Sequence, residues 1–379
     1  MATKINSIYE NGENNINNIN NKDAMLSATI HQYQSPLVLQ QTPKPKIIRG
    51  EQALVKVGAT GLCHSDLHLV NGDWKKSIPL QLPKIPGHEI AGWIEEIGDS
   101  VPEGLLQKGD MVAVFGGWGC GICTQCKNGN EQLCNYAKWP GISVDGGFSE
   151  YILVDSYRFL IKIEGKGDKS KLSVEEVAPL TDAGLTPYRA VKKIRHTLGP
   201  GKVIAVMGIG GLGYYAVQYA KILGQTSDII ALDRQDERLQ LAETVGADFT
   251  INTSEYEKQK LKEQVLRATN GRGVDIVIDC VGTESTIYNS IRLLNKGGML
   301  VLVGLFGNQI SLPLVPSVIN EYSIIGSLWG NYNELREVIG LAKKKIIKHS
   351  IQKFPLNKIN EAISLLKEGK IIGRAVIIP

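Results

Sequence analysis

Short apolar runs separated by glycine and proline characterise the chain from about residue 25 to residue 180. Examples are EQALVKVGATGLC, EIAGWIEEIG, DMVAVFG and FSEYILVD. Apolar runs of this length with turn residues between them are typical of antiparallel β-strands. The pattern therefore predicts a β-rich domain over residues 24–182.

A different rhythm begins at about residue 183 and continues to residue 327. KVIAVMGIG has the composition of a strand that enters a glycine-rich turn, and LGYYAVQYAKILG has helical periodicity and ends at glycine. DIIALD, VDIVIDCVG and GGMLVLVGL are further strand candidates, and DERLQLAETVGAD is a further helix candidate. Strands that alternate with helices indicate a doubly wound parallel sheet, so we expect a separate α/β domain over residues 183–327.

The two ends of the chain differ from both regions. Residues 1–23, MATKINSIYENGENNINNINNKD, are rich in asparagine and have few apolar residues. Such a segment cannot bury enough apolar surface to offset its ordering entropy, so we expect a disordered extension. At the other end, the helix candidate INEAISLLKEGK and the closing strand candidate GRAVIIP predict that residues 328–379 return to the first domain.

Composition narrows the class of protein further. The chain has 379 residues, 43% of them hydrophobic and 21% charged, with a net charge of +4. The length favours two domains. No apolar run reaches the roughly 18 residues that a membrane span needs, and no secretory signal is visible at the N-terminus. We therefore expect a cytoplasmic protein that has no membrane partner, and the small, dispersed charge gives no indication of nucleic-acid binding.

Four of the six cysteines lie in the stretch CGICTQCKNGNEQLC, at Cys120, Cys123, Cys126 and Cys134. In a reducing compartment such cysteines are more often metal ligands or buried thiols than disulfides. Their spacing allows four thiolates to surround a tetrahedral ion, for which zinc is suited. An iron–sulfur cluster and four unligated thiols are the alternatives. Because four protein ligands leave no open position, we predict a structural zinc here and place the chemistry elsewhere.

The segment VIAVMGIGGLG contains the spacing G-x-G-x-x-G. The motif follows a strand candidate and opens a helix candidate, which is the context that dinucleotide binding requires. The N–H groups at the start of that helix would face the pyrophosphate. The residues concerned are Gly208, Gly210 and Gly213, with Gly211 and Leu212 between them.

An acidic residue closes the next strand candidate, about 20 residues further on, where the motif expects one. Asp233 can accept hydrogen bonds from the adenosine ribose hydroxyls and would repel a 2′-phosphate, which favours NAD over NADP. The neighbouring Arg234 could instead pair with such a phosphate. A Rossmann-type domain that binds another nucleotide is the alternative.

A second candidate metal site lies in the β-rich part, in the segments GLCHSDLH and PGHE. Cys63 and His88 are residue types that bind zinc, and Asp66 could orient a ligating histidine. Ser65 and His68 place a hydroxyl and an imidazole near the cysteine. A catalytic zinc usually has three protein ligands. The segment PLTDAGLTPYRAV offers Asp182 as the third, although spacing alone does not select it over other acids.

Six segments occur in one order along the chain: GLCHSD, PGHE, the four-cysteine stretch, PLTDAGLTPYRAV, GIGGLG and GRAVIIP. Together they resemble the zinc-dependent medium-chain alcohol dehydrogenase family over residues 25–379, and within it the NAD-dependent secondary-alcohol dehydrogenases. The resemblance implies a β-rich GroES-like catalytic domain beside a Rossmann domain, with one catalytic and one structural zinc per subunit. It also implies reversible hydride transfer between an alcohol and NAD, and a dimer or tetramer.

The resemblance assigns the catalytic zinc to Cys63, His88 and Asp182. Many members have a cysteine at the position of Asp182, so an oxygen ligand replaces a thiolate here. In some relatives the glutamate equivalent to Glu89 approaches the zinc, which makes Glu89 a possible fourth ligand.

The resemblance also implies roles around the cofactor. Ser65 would bind the alcohol hydroxyl, and a proton relay would continue through the nicotinamide ribose to His68. Thr186 would pack near the nicotinamide, and Arg374 would bind a cofactor phosphate. A turn hydroxyl for Ser65 and a surface position for Arg374 are the alternatives.

Aromatic residues and the last cysteine complete the expectations. Trp74 and Trp118 either wall an apolar substrate pocket or pack in the core, and Trp329 lines the cofactor cleft. Cys280 is expected to be a buried, unligated thiol.

Two other functions remain compatible with these residues. The first is a polyol, sugar or hydroxy-acid dehydrogenase of the same fold, which would differ in the polarity of the pocket. The second is a catalytically silent cofactor-binding protein. The presence together of Cys63, Ser65, His68, His88 and Asp182 argues against the second.

Overall fold

The computed structural model describes residues 23–164, 172–225, 227–255, 258–307 and 309–379. Of the N-terminal extension proposed for residues 1–23, all but Asp23 lies outside these described residues. Within them, no helix has both the length and the apolar composition that crossing a membrane would need.

The N-terminal part forms a seven-stranded, mostly antiparallel sheet. Its strands are β3 (Ala53–Leu62), β4 (Glu89–Ile97), β5 (Met111–Val114), β6 (Tyr151–Val154) and β7 (Leu160–Glu164), joined by β14 (Ile351–Pro355) and β15 (Arg374–Ile378). The order is β14-β15-β3-β4-β5-β7, and β6 pairs with β3. A separate two-stranded sheet joins β1 (Ala24–Thr29) to β2 (Val38–Pro43). Helices of this part and of the C-terminal return are α1 (His64–Asn71), α2 (Thr124–Lys127), α3 (Val174–Pro179) and α11 (Ile359–Lys367).

The second sheet has six strands, all parallel. They are β8 (Val203–Met207), β9 (Asp228–Asp233), β10 (Phe249–Asn252), β11 (Val274–Asp279), β12 (Leu294–Leu302) and β13 (Ser323–Gly326). The order β10-β9-β8-β11-β12-β13 reverses direction between β8 and β11, as in a Rossmann fold, where the cofactor binds at that switch point. The predicted combination of a doubly wound parallel sheet with a β-rich domain is therefore confirmed.

The remaining helices accompany the parallel sheet. They are α4 (Leu185–Ile194), α5 (Gly211–Gly224), α6 (Asp236–Glu243), α7 (Lys258–Ala268), α8 (Glu284–Leu293), α9 (Leu314–Ile319) and α10 (Tyr332–Lys343). Strand β8 is entirely buried, which accounts for its continuous apolar sequence.

One helical segment connects the two parts of the chain. It begins at the N-cap Ser173, whose hydroxyl accepts from the N–H of Glu176 at 3.3 Å. Helix α3 passes through a π-helical turn, Leu180–Gly184, directly into α4. The predicted division between residues 182 and 183 falls inside this turn, and the extent of each domain stays a prediction. The turn is entirely buried, so its side chains are held from all sides.

Candidate active site

A cavity of about 580 Å³ lies between the two sheets. It is bordered by the residues after β3, by the π-helical turn, by the loop after β8 and by the segment after β13. It therefore collects side chains that are far apart in the sequence. Most of the accessible lining is apolar, which suits a small organic ligand with a few fixed polar contacts.

Four potential metal ligands meet beside this cavity: Cys63, His88, Glu89 and Asp182. One ligand atom of each lies within 4.8 Å of those of the other three, and all four residues are buried. Cys63 is the N-cap residue of α1, Glu89 is the first residue of β4, and Asp182 lies in the π-helical turn. The fold thus brings together three segments that the sequence could only suggest separately.

The spacing of three of these atoms fits a tetrahedral metal site. His88 Nε2 lies 3.3 Å from Asp182 Oδ2, and Cys63 Sγ lies 3.8 Å from the same oxygen. Bonds of about 2.0–2.3 Å to a tetrahedral zinc place neighbouring ligand atoms roughly 3.3–3.8 Å apart. The donor set of thiol, imidazole and carboxylate also suits zinc.

The electrostatics of the cluster favour a bound cation. Burial alone would raise the pKa of Asp182, but the hydrogen bond and charge of His88, together with Arg374, lower it to about 2. Burial likewise opposes the charged form of His88, but Asp66 and Asp182 raise its pKa well above the usual value. The carboxylates at this point therefore stabilise a positive charge between them.

Asp66 supports the cluster from behind and does not line the cavity. Its oxygens accept the backbone N–H of Cys63 at 2.9 Å and of Gly87 at 3.2 Å, and Oδ1 lies 3.4 Å from His88 Nδ1. These contacts suit the orienting role expected for Asp66, which would act on the chemistry by positioning Cys63 and His88; that role stays a prediction.

Arg374 is buried and forms an ion pair with Glu89. Its Nε donates to Glu89 Oε2 at 2.9 Å, and its Nη2 donates to Oε1. The N–H of Ala183 also donates to Oε1 at 3.2 Å. Arg374 is only 5% exposed, so a surface position is wrong. Because a Cβ built on Gly211 would lie 2.7 Å from Arg374 Nη1, the guanidinium also adjoins the glycine-rich turn. Contact with a cofactor phosphate stays a prediction.

Ser65 and His68 both line the cavity on α1. Ser65 Oγ lies 3.7 Å from Cys63 Sγ. His68 lies nearly one helical turn further on, where its Nδ1 is 2.7 Å from Asp73 Oδ2 and its ring stacks on Trp74 at 4.8 Å. The bond to Asp73 thus engages Nδ1 of His68.

The glycine-rich turn lies at the other end of the cavity. Gly208 has φ = +86°, a conformation that favours glycine, and a Cβ on Gly213 would overlap the carbonyl oxygen of Gly208. A Cβ on Gly210 would meet no atom within 4 Å, so the backbone there is open to a close approach by a ligand. These properties, with Gly211 and Leu212 at the start of α5, fit a bound pyrophosphate.

Asp233 ends β9 and lines the cavity. Its Oδ2 accepts the N–H of Ile209 at 2.6 Å, and its Oδ1 accepts the N–H of Arg234 at 2.7 Å. The side chain of Arg234 is exposed and does not border the cavity. Thr186 does border it, and its hydroxyl donates to Asp182 Oδ1 at 2.5 Å.

Four further cysteines, Cys120, Cys123, Cys126 and Cys134, form a separate cluster, the cysteine lobe (residues 120–134), away from the cavity lining. Its Sγ–Sγ distances are 3.9 Å for Cys120–Cys126, 3.5 Å for Cys123–Cys126 and 3.8 Å for Cys123–Cys134. A tetrahedron with zinc–sulfur bonds of about 2.3 Å has edges of about 3.8 Å. Hydrogen bonds from the backbone N–H groups of Ile122 and Cys123 lower the pKa of Cys120 to about 6, which favours a thiolate.

Several expectations for single residues need correction, and some residues were missed. Trp118 packs on Phe159 and does not wall the cavity, whereas Trp74 and Trp329 do. Cys280 was expected to be buried, but it is partly exposed and borders the cavity. The cavity-lining residues that sequence reasoning did not single out include His64, Trp139 and Arg238.

For each of these three residues, the neighbouring sequence contained a weak indication that it lies near the site. His64 directly follows Cys63, and burial followed by nearby positive charges lowers its pKa to about 4. Arg238 is the third residue of α6, and its Nη1 is 3.9 Å from Asp233 Oδ1. Trp139 follows the cysteine lobe and stacks on Trp329 at 5.1 Å.

Comparisons with known proteins agree with this geometry. The family profile described as alcohol dehydrogenase GroES-like domain matches residues 49–165, and that described as zinc-binding dehydrogenase matches residues 211–344. An NAD-dependent alcohol dehydrogenase of Sulfurisphaera tokodaii is 40% identical over 351 residues, which is 91% of this chain and 97% of that protein.

Two further relatives extend the comparison. A D-arabinose 1-dehydrogenase (NADP(+)) of Saccharolobus solfataricus is 35% identical, over 93% of this chain and 97% of that protein. The crystal structure of the alcohol dehydrogenase from Aeropyrum pernix superposes with a TM-score of 0.87 at 38% identity, covering 93% of this chain and 100% of that chain. The sequence, fold and ligand cluster of the present protein together show that it belongs to the zinc-dependent medium-chain alcohol dehydrogenase family.

Proposed function

We propose that this protein is an NAD-dependent zinc dehydrogenase that interconverts alcohols, secondary alcohols in particular, with ketones or aldehydes. The observation that carries the proposal is a single cavity that borders both the Cys63, His88 and Asp182 cluster and the glycine-rich turn after β8. The similarity to NAD-dependent alcohol dehydrogenases supports the same reaction. A silent cofactor-binding protein would have no need of a complete ligand cluster beside the cofactor site.

Two zinc ions per subunit follow from the two clusters. Cys63, His88 and Asp182 would hold one, with Glu89 able to approach if it leaves Arg374, and the cysteine lobe would hold the other. When bound, the cavity zinc supplies Lewis-acid polarisation of the substrate oxygen, and NAD supplies the hydride acceptor. Asp66 Oδ1, 3.4 Å from His88 Nδ1, would help to orient the imidazole so that it presents Nε2 to the cluster.

The protein side chains provide the route for the proton. The hydroxyl of Ser65, next to Cys63 Sγ, would accept the substrate proton. His68 lies further along the same helix, and Asp73 holds its Nδ1 so that Nε2 can pass a proton towards solvent. Thr186 donates to Asp182 and thereby keeps one oxygen of that carboxylate away from the cluster centre.

NAD is favoured over NADP by the surroundings of Asp233. Its carboxylate borders the cavity at the end of β9 and would repel a 2′-phosphate. Arg234, the neighbour that could pair with such a phosphate, is exposed and does not belong to the cavity lining. The NADP-dependent relative makes this preference worth testing directly.

The lining near the metal cluster favours apolar substrates. Six apolar side chains surround this part of the cavity: Trp74, Ile78, Trp139, Ile142, Leu328 and Trp329. A secondary alcohol with hydrocarbon substituents would bury its surface there, whereas a sugar would leave hydroxyls without partners. The similarity to a D-arabinose dehydrogenase makes sugar oxidation the second candidate function.

Assembly and location complete the proposal. Helix α9 exposes Leu314, Val315, Val318 and Ile319 to at least 65% each, next to β13 at the edge of the parallel sheet. No strand among the described residues pairs with the outer side of β13. An apolar face beside such an edge favours pairing with a second copy, so we propose a homo-oligomer, a dimer or a tetramer. A cytoplasmic location remains our prediction, and cell fractionation tests it.

A substrate panel with NAD and NADP in parallel tests the reaction. We expect reduced nicotinamide to form with secondary alcohols faster than with polyols, sugars or hydroxy acids, and faster with NAD. Cys63→Ser should abolish turnover and leave NAD binding intact, whereas Cys123→Ser should lower stability first. Full activity of Cys63→Ser would refute the site, and a preference for sugars would favour the second candidate.

A further inference from the structure

Trp329 links the segment after the last parallel strand to two of the proposed metal ligands. We infer that Trp329 is a positioning residue for the metal cluster in the cavity, because its indole fixes both the turn that carries Asp182 and the ring of His88. The inference rests on the proposed function, since it concerns a metal held by these ligands. Trp329 is 7% exposed and borders the cavity beside the cluster.

The first contact is a buried hydrogen bond. Trp329 Nε1 donates to the carbonyl oxygen of Thr181 at 2.7 Å. Thr181 directly precedes Asp182, and its own hydroxyl donates to the carbonyl of Ala178 at 2.8 Å. The π-helical turn is thus held from the side, at the peptide that leads into the ligand. A shift of this peptide would move the Asp182 carboxylate relative to the other ligands.

The second contact is between rings. The Trp329 indole meets the His88 imidazole edge to face, with centroids 5.6 Å apart and an interplanar angle of 75°. The indole also stacks with Trp139, with centroids 5.1 Å apart and an interplanar angle of 25°. Asp66 Oδ1 lies 3.4 Å from His88 Nδ1, too loosely placed to fix the ring alone, and the Trp329 indole restrains its tilt from another direction.

The backbone of Trp329 shows that its position is held by its surroundings. Its φ is +44°, in the left-handed region that is costly for a bulky side chain. Opposite the ring lies Gly116, two residues beyond the end of β5, where a Cβ would overlap Cζ2 of the indole. A strained backbone and a matching glycine together accommodate a large ring at this point, which is typical of a residue that serves the site.

A test that does not depend on turnover is the rate at which zinc leaves the protein. Outer contacts to metal ligands typically change metal affinity about tenfold to a hundredfold. In the zinc-loaded full chain, zinc release to a chromophoric chelator should show two phases, one per site. Cys63→Ser identifies the cavity phase, because it removes that phase. We expect Trp329→Phe, which keeps a ring but loses the N–H, to speed the cavity phase about tenfold, and Trp329→Leu to speed it further.

Trp118→Phe is the matched control. Trp118 is also buried, and its Nε1 donates to the carbonyl of Phe115 at 2.6 Å, but it packs on Phe159 and not on a cavity ligand. The Trp118→Phe variant should lower the melting temperature about as much as Trp329→Phe does and leave the rate of zinc release from the cavity site unchanged. Unchanged cavity release in Trp329→Phe and Trp329→Leu, or equal acceleration in Trp118→Phe, would overturn the inference alone. A wild-type chain that holds only the lobe zinc would overturn the proposed function as well.

Discussion

Replacing Cys134 by serine should open the cysteine lobe while leaving the cavity cluster intact. Cys134 is the last of the four thiols, and it closes the nine-residue loop that begins at Cys126. The remaining thiols, at Cys120, Cys123 and Cys126, can still hold an ion, but the segment after Cys126 is no longer tied to it. The lobe buries little apolar surface of its own, since Ile122 is 76% exposed.

The size of the effect follows from loop closure. Tying together the two ends of a nine-residue loop reduces the conformational entropy of the open chain. At 25 °C this stabilises the closed lobe by about 2.6 kcal/mol relative to the open one. Loss of this constraint raises the population of the open lobe roughly seventyfold. The Sγ of Cys134 also accepts from the N–H groups of Cys120 at 3.4 Å and Tyr136 at 3.3 Å, and serine can replace these bonds only in part.

Limited trypsin digestion measures that population. Lys127 is the only basic residue between Cys120 and Cys134, and it is exposed on α2, so cleavage after it reports opening of the lobe. When the lobe opens and closes faster than trypsin cuts, the cleavage rate follows the open population. We expect Cys134→Ser to be cut after Lys127 about seventy times faster than the wild type.

Cys280→Ser is the control, because Cys280 lies outside both cysteine-containing clusters. It should be cut at the wild-type rate. A strong chelator removes the ion altogether, so adding it to the wild type should speed cleavage at least as much as Cys134→Ser does. If cleavage after Lys127 changed less than twofold in Cys134→Ser, the lobe would not depend on a metal cross-link. The reasoning would also fail if the variant lost cavity zinc while the lobe stayed protected.

Three further outcomes test other parts of the structure. Asp233→Ser should raise the ratio of kcat/KM with NADP to kcat/KM with NAD at least about tenfold, because the carboxylate that repels the 2′-phosphate is removed. An unchanged ratio in steady-state assays would refute the role of Asp233 in cofactor choice. Tyr219→Phe should stabilise the fold by about 1 kcal/mol in denaturant unfolding, because the buried Tyr219 hydroxyl has no partner among the described residues; a clear loss of stability would contradict this. Burial, opposed by Glu176, lowers the pKa of His349, so the unfolded chain binds the proton more tightly and stability falls as pH drops below about 6.5. His349→Asn should lose less stability than wild type between about pH 7 and about pH 5, and parallel unfolding curves would exclude this contribution.

Features encoded within a few consecutive residues were predictable from the sequence. The four thiols of the cysteine lobe span fifteen residues, so their geometry is set by local turns, and the structure brings their sulfurs to tetrahedral distances. The glycine-rich turn is equally local, because strand, turn and helix follow one another directly. The apolar pattern also predicted the two kinds of sheet, because a buried strand or helix needs apolar residues at the repeat of that element, and this repeat is visible within a few residues.

The cavity cluster depended on contacts between distant segments. Asp182 is 119 residues from Cys63, and Arg374 is 285 residues from Glu89, so no local pattern could select these partners. Trp329 shows the same limit, because its contact with Thr181 forms only when the segment after β13 packs against the π-helical turn. The sequence by itself therefore determined the elements and the ligand types, while the packing of the two sheets around one cavity decided which ligands meet. The physical reason is that hydrophobic pattern and turn geometry act over a few residues, whereas the distances between metal ligands are set by the tertiary fold.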